Sequence, residues 1–226
     1  DQKPTAVVRG YDHSFAMHRD VKTRSFLNQS DSDITKKIAG ECGGLTPKID
    51  ATPDVHAYVL QYAQTNYEFL LNRARRIGYE LRVIGKELHF RRPAPKGAPI
   101  KLSWGTTLKR FSPRLSVAEQ VDKVEVRGWD AMTKKELVST AQNGNGAPKV
   151  GESKSGASAG KTVWGAATKM IPHAAVATKS EAQSLAQAAM DDLTSSFIQA
   201  NGECEGSAKI RVGSTLKIEG VGDPFG

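Results

Sequence analysis

The chain has 226 residues, 38% of them hydrophobic and 25% charged. That balance favours a folded protein over a disordered one and predicts one large or two small domains with a sizeable core. Its longest apolar runs fall far short of the roughly 18 residues a membrane helix needs, and its polar start does not read as a signal peptide. A net charge of +8 favours contact with something acidic, whether nucleic acid, an anionic surface or an acidic protein, without choosing among them.

In chain order, residues 5–27 read as two strands around a turn: TAVVRGYD, apolar with a Gly and an Asp to bend it, and VKTRSFL, β-branched and roughly alternating. Ser30 opens a helix, with Asp33 three residues on in capping-box fashion and Ile34 and Ile38 on one face; Gly43 and Gly44 stop it. TPKIDATPDV reads as a Pro-broken connector, and AYVLQYAQ (57–64) as a short strand, with helix left open.

Thr65 and Glu68 then form a full capping box before Phe69, Leu70, Ala74 and Ile77, which make one apolar stripe ended by Gly78. YELRVIGKELHFRR predicts a hairpin turning at Gly85-Lys86, and RPAPKGAP a linker. From Ile100 the chain is β-rich: IKLSWG, LKRFSPRLSV, and two strands in DKVEVRGWDAMTKKELVSTA with a turn at Ala131–Lys134. Residues 142–161 are rich in Gly, Ser, Ala and Lys and read as a mobile surface loop. A helix is predicted over about 181–200, capped by Ser180, with Leu185, Ala189, Leu193 and Phe197 at i+4 steps and Gly202 after it. SAKIRVGSTLKIEGVG supplies two closing strands. The start DQKPTAVV and the end VGDPFG raise the expectation of a piece of a longer protein.

Motifs of catalysis find little support. Gly156 to Thr162 ends like a phosphate-binding loop, but it has three residues between its glycines where four are needed and no apolar strand before it. His13, His18, His56, His89 and His173 share no metal-ligand spacing, and Cys42 and Cys204 have no nearby partner. Those cysteines read as reduced thiols, with a disulfide not demanded. Asp31 and Asp33 are accounted for by helix capping, Asp191 and Asp192 by a solvated helix face, and the sequon at Asn28 has no secretion signal to support it. No catalytic residue, cofactor or metal is expected.

Two features remain. Eight Lys and Arg lie between Arg73 and Lys96, with two Glu. Arg73, Arg75, Arg76, Arg82, Lys86, Arg91 and Arg92, with Tyr79 and Phe90 nearby, fit a solvated face, a docking patch for an acidic neighbour, or a nucleic-acid-binding module. The second feature is a repeat. Arg9-Gly10-Tyr11-Asp12 in VVRGYD matches Arg127-Gly128-Trp129-Asp130 in VEVRGWD. The alternatives are chance, or a strand whose Gly breaks the pleat, followed by an aromatic that packs and an Asp that caps a turn.

The stretch VRGYDHSFAMHRDVKTRSFLNQSDSDITKKIAGEC, the segment YAQTNYEFLLNRARRIGYELRVIGKELHFRRP and VDKVEVRGWDAMTKKELV together resemble the phage late control D family. These are baseplate hub proteins of contractile tails, with relatives in extracellular contractile injection systems and, more distantly, the VgrG spike of type VI secretion. The resemblance runs over about residues 6–226. Its most specific part is Gln64 to Glu80, where Tyr67 stands in place of the family's usual Trp. The family normally has a barrel portion before VVRGYD and a further strand after the last residues here.

The resemblance implies a β-rich α+β fold with two related β-barrel-like domains and a small α/β domain inserted between them. Residues 1–27 would end a first, incomplete barrel, 28–95 form the insert, and 96–226 the second barrel with loop 142–161 and helix 181–200. It further implies a non-catalytic protein whose homotrimer forms a ring adapting a three-fold spike to a six-fold tube, so that the two VRG-aromatic-Asp strands occupy equivalent places in the two barrels. The implied partners are the protein itself, the tail tube, the spike tip and baseplate proteins, with neither nucleic acid nor membrane. The implied location is the bacterial cytoplasm during assembly and then a phage tail or tail-like particle.

Overall fold

A computed structural model of the chain describes residues 6–94, 96–130, 132–146, 148–150, 154–172 and 174–222. His173, the turn residue Ala131 and the last four residues lie outside the described set. The protein is β-rich α+β, 25% helix and 41% strand, and its described strands do not close a barrel. It divides into two compact units, one made of residues up to Arg75 with Tyr79–Arg92, the other of residues 76–78 with those from Pro93 on.

The first unit begins differently from the expectation. Residues 6–12 carry no strand and are exposed; a short helix, α1 (Phe15–His18), follows. The first strand is β1 (Val21–Ser30), antiparallel to β3 (Val55–Thr65) in a two-stranded sheet, with Phe26 opposite Val59 and both buried. So residues 57–64 are strand, as their β-branched and aromatic content favours.

Ser30 caps α2 (Asp31–Glu41), its hydroxyl accepting from Asp33 N, and Ile34 and Ile38 are fully buried. The Pro-bearing connector is in part an edge strand, β2 (Thr46–Ile49), parallel to β5 (Glu87–Arg91). Pro47 is tolerated there because an edge strand leaves one side unpaired.

The capping box at α3 (Asn66–Arg76) is formed in both directions: Glu68 N donates to Thr65 Oγ1 at 3.2 Å and Thr65 N to Glu68 Oε2 at 2.9 Å. Such a cap contributes about 1 kcal/mol. Phe69, Leu70 and Ala74 are buried, and Phe69 stacks on Phe26 with centroids 5.6 Å apart. The hairpin of β4 (Glu80–Ile84) and β5 turns through Gly85 at φ +59.

The second unit holds β6 (Lys96–Ser103) parallel to β14 (Ser214–Glu219), and β7 (Leu108–Leu115) antiparallel to β13 (Ile198–Cys204). Residues 207–210 carry no strand, so SAKIRVGSTLKIEGVG supplies one strand where two were expected. A three-stranded sheet has β8 (Lys123–Asp130) at its centre, β9 (Lys135–Ala141) antiparallel on one side and β12 (Thr168–Ile171) parallel on the other. Two-residue strands β10 (Lys149–Val150) and β11 (Lys154–Ser155) pair with each other.

The stretch expected to be a mobile loop is helical in its last part. In α4 (Gly156–Trp164), Ser155 Oγ accepts from Ser158 N, and Gly156 is buried against Gln120 and Phe197. Its glycine serves close packing, which composition alone reads as flexibility.

The long helix α5 (Lys179–Ser195) is capped by Thr178, not Ser180, with Glu181 N donating to Thr178 Oγ1. It stops before the expected end because Thr194, Ser195 and Ser196 hydroxyls bond back to helix carbonyls, after which Ile198 pairs with Leu115. Its buried stripe is Ala182, Ala186, Met190 and Leu193, with Leu185 and Ala189 flanking, packed on Val124, Val126, Ala141 and Val176. Both cysteines are free thiols.

Candidate assembly surface

The basic segment does not form one open face. Arg73 reaches inward: its Nε lies 2.5 Å from Asp31 Oδ1 and its Nη2 2.7 Å from His56 Nε2. Asp31, assigned from sequence to helix capping, is in fact a buried ion-pair partner, its side chain 2% exposed. Burial pushes its carboxyl up, but the hydrogen bonds from His56 and Arg73 and the charge of Arg73 outweigh this and hold it below its ordinary value.

Arg91 Nε donates to Glu80 Oε1 at 2.8 Å, and Arg82 Nη2 lies 3.3 Å from the same oxygen. Arg76 belongs to the second unit and donates to Ala175 O. Arg75, Lys86 and Arg92 are exposed. Four of these seven cations are therefore engaged within the protein, which leaves three of the seven exposed.

The two copies of the repeat share their turn and differ in their strand. In the second copy, Val126 and Gly128 face the buried side of β8, and a Cβ on Gly128 would collide with Val176 Cγ2. Arg127 and Trp129 point outward; Arg127 pairs with Glu125 at 2.7 Å and Glu136 at 3.1 Å. Asp130 accepts from Met132 N, Thr133 N and Thr133 Oγ1. In the first copy Asp12 does the same work, accepting from Ser14 N at 2.8 Å and from the Ser14 hydroxyl. Both carboxyls are held below their ordinary value by these bonds, the Ser14 and Thr133 hydroxyls contributing most. The rest of the first copy pairs with no strand among the described residues: Val7, Val8 and Tyr11 are more than three-quarters exposed, and nothing lies within 4 Å of a Cβ placed on Gly10.

The ribbon of β1 and β3 adds a surface that no local motif announces. Its inner face carries Lys22, Arg24, Phe26, Val59 and Gln61. Arg24 binds Glu41, Gln61 and Asn66 there. Its outer face presents Val21, Thr23, Ser25, Leu27, Tyr58, Leu60 and Tyr62, all exposed and none charged. In a chain one quarter charged, seven neighbouring exposed positions without a charge have the composition of an interface core, rich in Tyr and apolar groups. Alternation along the two strands encodes this face, but it is legible only once their pairing register is known.

Residues 1–226 match the family model described as the Alg8 N-terminal domain, and the chain belongs to that family. This is a different family from the late control D proteins named by the sequence resemblance. No curated protein matches the chain. Among solved structures, it is similar to a 43 kDa tail protein of prophage MuSo2 from Shewanella oneidensis, with a TM-score of 0.66 and 14% identity over 92% of this chain and 62% of that one. It is also similar to a tail protein from Neisseria meningitidis MC58, with a TM-score of 0.60 and 12% identity over 90% of this chain and 59% of that one. At these identities the likeness is one of fold, and the chain spans about three fifths of each of the two proteins.

Proposed function

We propose that this chain is a non-enzymatic structural component of a phage tail or tail-like particle, and that its place is the baseplate hub of a contractile system, where three copies form a ring between a three-fold spike and a six-fold tube. The observation that carries the reading is the fold shared with a prophage tail protein over 92% of the chain. The duplicated Arg-Gly-aromatic-Asp element with its common Asp-capped turn supports it, because a three-fold ring that meets a six-fold tube needs two similar units in each subunit. In this reading residues 1–27 belong to a first barrel, 28–95 to an insert and 96–226 to a second barrel. The uncharged face of β1 and β3 supports a role in contact with other tail components.

Light scattering after size exclusion tests the assembly. A species near three times 24.4 kDa is expected. A monomer at every concentration overturns the ring.

A further inference from the structure

Asp191 reads from the sequence as part of a solvated helix face, but in the structure it fastens a turn. Its Oδ1 accepts from Asn145 N at 2.7 Å and its Oδ2 from Asn145 Nδ2 at 3.2 Å. One helical turn back, Gln187 Nε2 donates to Asn143 O and to Asp191 Oδ1, both at 2.8 Å. The residues held this way, Asn143-Gly144-Asn145-Gly146, lie between β9 and β10 in the second unit.

Three of the chain's six asparagines stand before glycine: Asn143, Asn145 and Asn201. That order has a chemical consequence. The side-chain amide carbon of asparagine is open to attack by the backbone nitrogen of the next residue, and glycine has no Cβ to obstruct the approach. This reaction is what makes asparagine thermolabile.

The three sites differ in their freedom to react, because the attack requires rotation about the asparagine Cα–C bond. Asn201 and Gly202 lie inside β13, opposite Ser112 and Phe111, where the ladder fixes an extended backbone. Gly144 is half-buried, and a Cβ placed on it would collide with Thr194 of α5, so the Asn143–Gly144 peptide has no room to turn. Asn145 and Gly146 are both exposed. Nothing lies within 4 Å of a Cβ on Gly146, which stands in the left-handed region at φ +66. Neither bond to Asp191 blocks the rotation: one holds the Asn145 nitrogen, on the other side of Cα, and the other is an exposed side-chain bond.

The geometry points to Asn145 as a site of spontaneous deamidation that releases the turn 143–146 from α5. The Gly146 nitrogen bonds to Asn145 Cγ and gives up its proton. The Cγ–Nδ2 bond breaks, and Nδ2 leaves with that proton as ammonia. Solvent water then opens the cyclic imide at either carbonyl carbon, adding its hydroxyl to carbon and its other hydrogen to nitrogen. The product is aspartate or isoaspartate, and no oxidant or reductant takes part. A donor 3.2 Å from Asp191 Oδ2 has become a carboxylate oxygen. The contact that held the turn now sets two negative charges against each other.

The test ages the purified protein in warm, mildly alkaline buffer and follows the three Asn-Gly sites by peptide mass spectrometry with fragmentation that marks isoaspartate. A synthetic peptide of residues 141–148 is aged beside it. Modification is expected at Asn145 well before Asn143 and Asn201. Modification that appears first at Asn143 or Asn201, or an Asn145 still intact when the peptide is fully converted, overturns the site. Hydrogen exchange at the Asn145 amide then compares wild type with Asn145→Asp. Protection is expected to fall by at least about tenfold in the variant, with α5 still protected. Adding Asp191→Asn to that variant removes the like charge, and protection is expected to return in part. Unchanged protection in Asn145→Asp overturns the release, and a double variant no different from the single overturns repulsion as its cause.

Discussion

Asp31, His56 and Arg73 show how three side chains from α2, β3 and α3 become one structural unit. Replacing Arg73 with Ala leaves a buried carboxylate without its main partner, a change that costs on the order of 3 kcal/mol. The same change at exposed Arg75 is expected to stay within about 0.5 kcal/mol. Chemical denaturation of the two variants tests this, and equal effects would refute the inward role of Arg73. The pH response follows from the sign of the shift. Asp31 is held below its ordinary value, so its folded form binds a proton less readily than its unfolded form. Its stabilisation is complete above the ordinary carboxylate range and is lost as pH falls through that range toward the lower folded value. Arg73→Ala should therefore flatten the acid limb of a stability-against-pH curve. Gly128 makes a separate residue-scale case: Gly128→Ala drives a methyl into Val176 and is expected to destabilise the subunit by roughly 1–3 kcal/mol, while Gly10→Ala leaves the isolated subunit unchanged. The sequence marked Gly128 as special, through its repeat, but the segment that covers it, Ala174 to Val176, lies more than 40 residues onward, beyond any local pattern.

Elements were legible where local chemistry decides them. The capping boxes of α2 and α3, the Gly85 turn and the alternation of β8 and β9 all announce themselves over a few residues, and the structure has each of them. Elements set by distant packing were not. α4 emerges from a stretch of small residues because Gly156 lets the helix approach Gln120 and Phe197, while Gln120 Nε2 itself donates to Leu193 O at 2.6 Å. Read locally, the same glycine signals a flexible loop. α5 was placed correctly in type but shifted at both ends, since Thr178 outcompetes Ser180 as cap and the hydroxyls of residues 194–196 end it early. The seat of Gly156 makes a testable claim. A Cβ there would lie 2.7 Å from Phe197 ring carbons, so Gly156→Val should unseat α4. Hydrogen exchange is expected to show lost protection at residues 160–165 with α5 still protected. Unchanged protection in α4 would mean that the helix does not depend on this contact.

At the scale of the molecule, charge and surface pull in opposite directions. The chain carries +8 and so repels its own copies, while the outer face of β1 and β3 offers exposed Tyr, Leu and Val with no charge. If assembly runs through that face, added salt removes the repulsion and leaves the contact intact, because the Debye length falls from about 10 Å at 0.1 M to about 3 Å at 1 M. Self-association should therefore strengthen as salt rises. An interface made of ion pairs behaves the other way, and so does binding to nucleic acid, which weakens steeply with salt through the release of counterions. With Arg73, Arg76, Arg82 and Arg91 engaged inside the protein, at most four of the segment's eight cations are free for phosphate, and its binding to duplex DNA should fall with a slope no steeper than about −4 in log–log terms. Sedimentation equilibrium across a salt series, with the same series repeated on labelled duplex, measures both slopes on one protein. Association that rises with salt, beside weak and shallow DNA binding, is the signature of an apolar assembly surface. Association that falls with salt would place the contact among the Lys, Arg, Asp and Glu pairs instead, and would remove the uncharged ribbon from the interface.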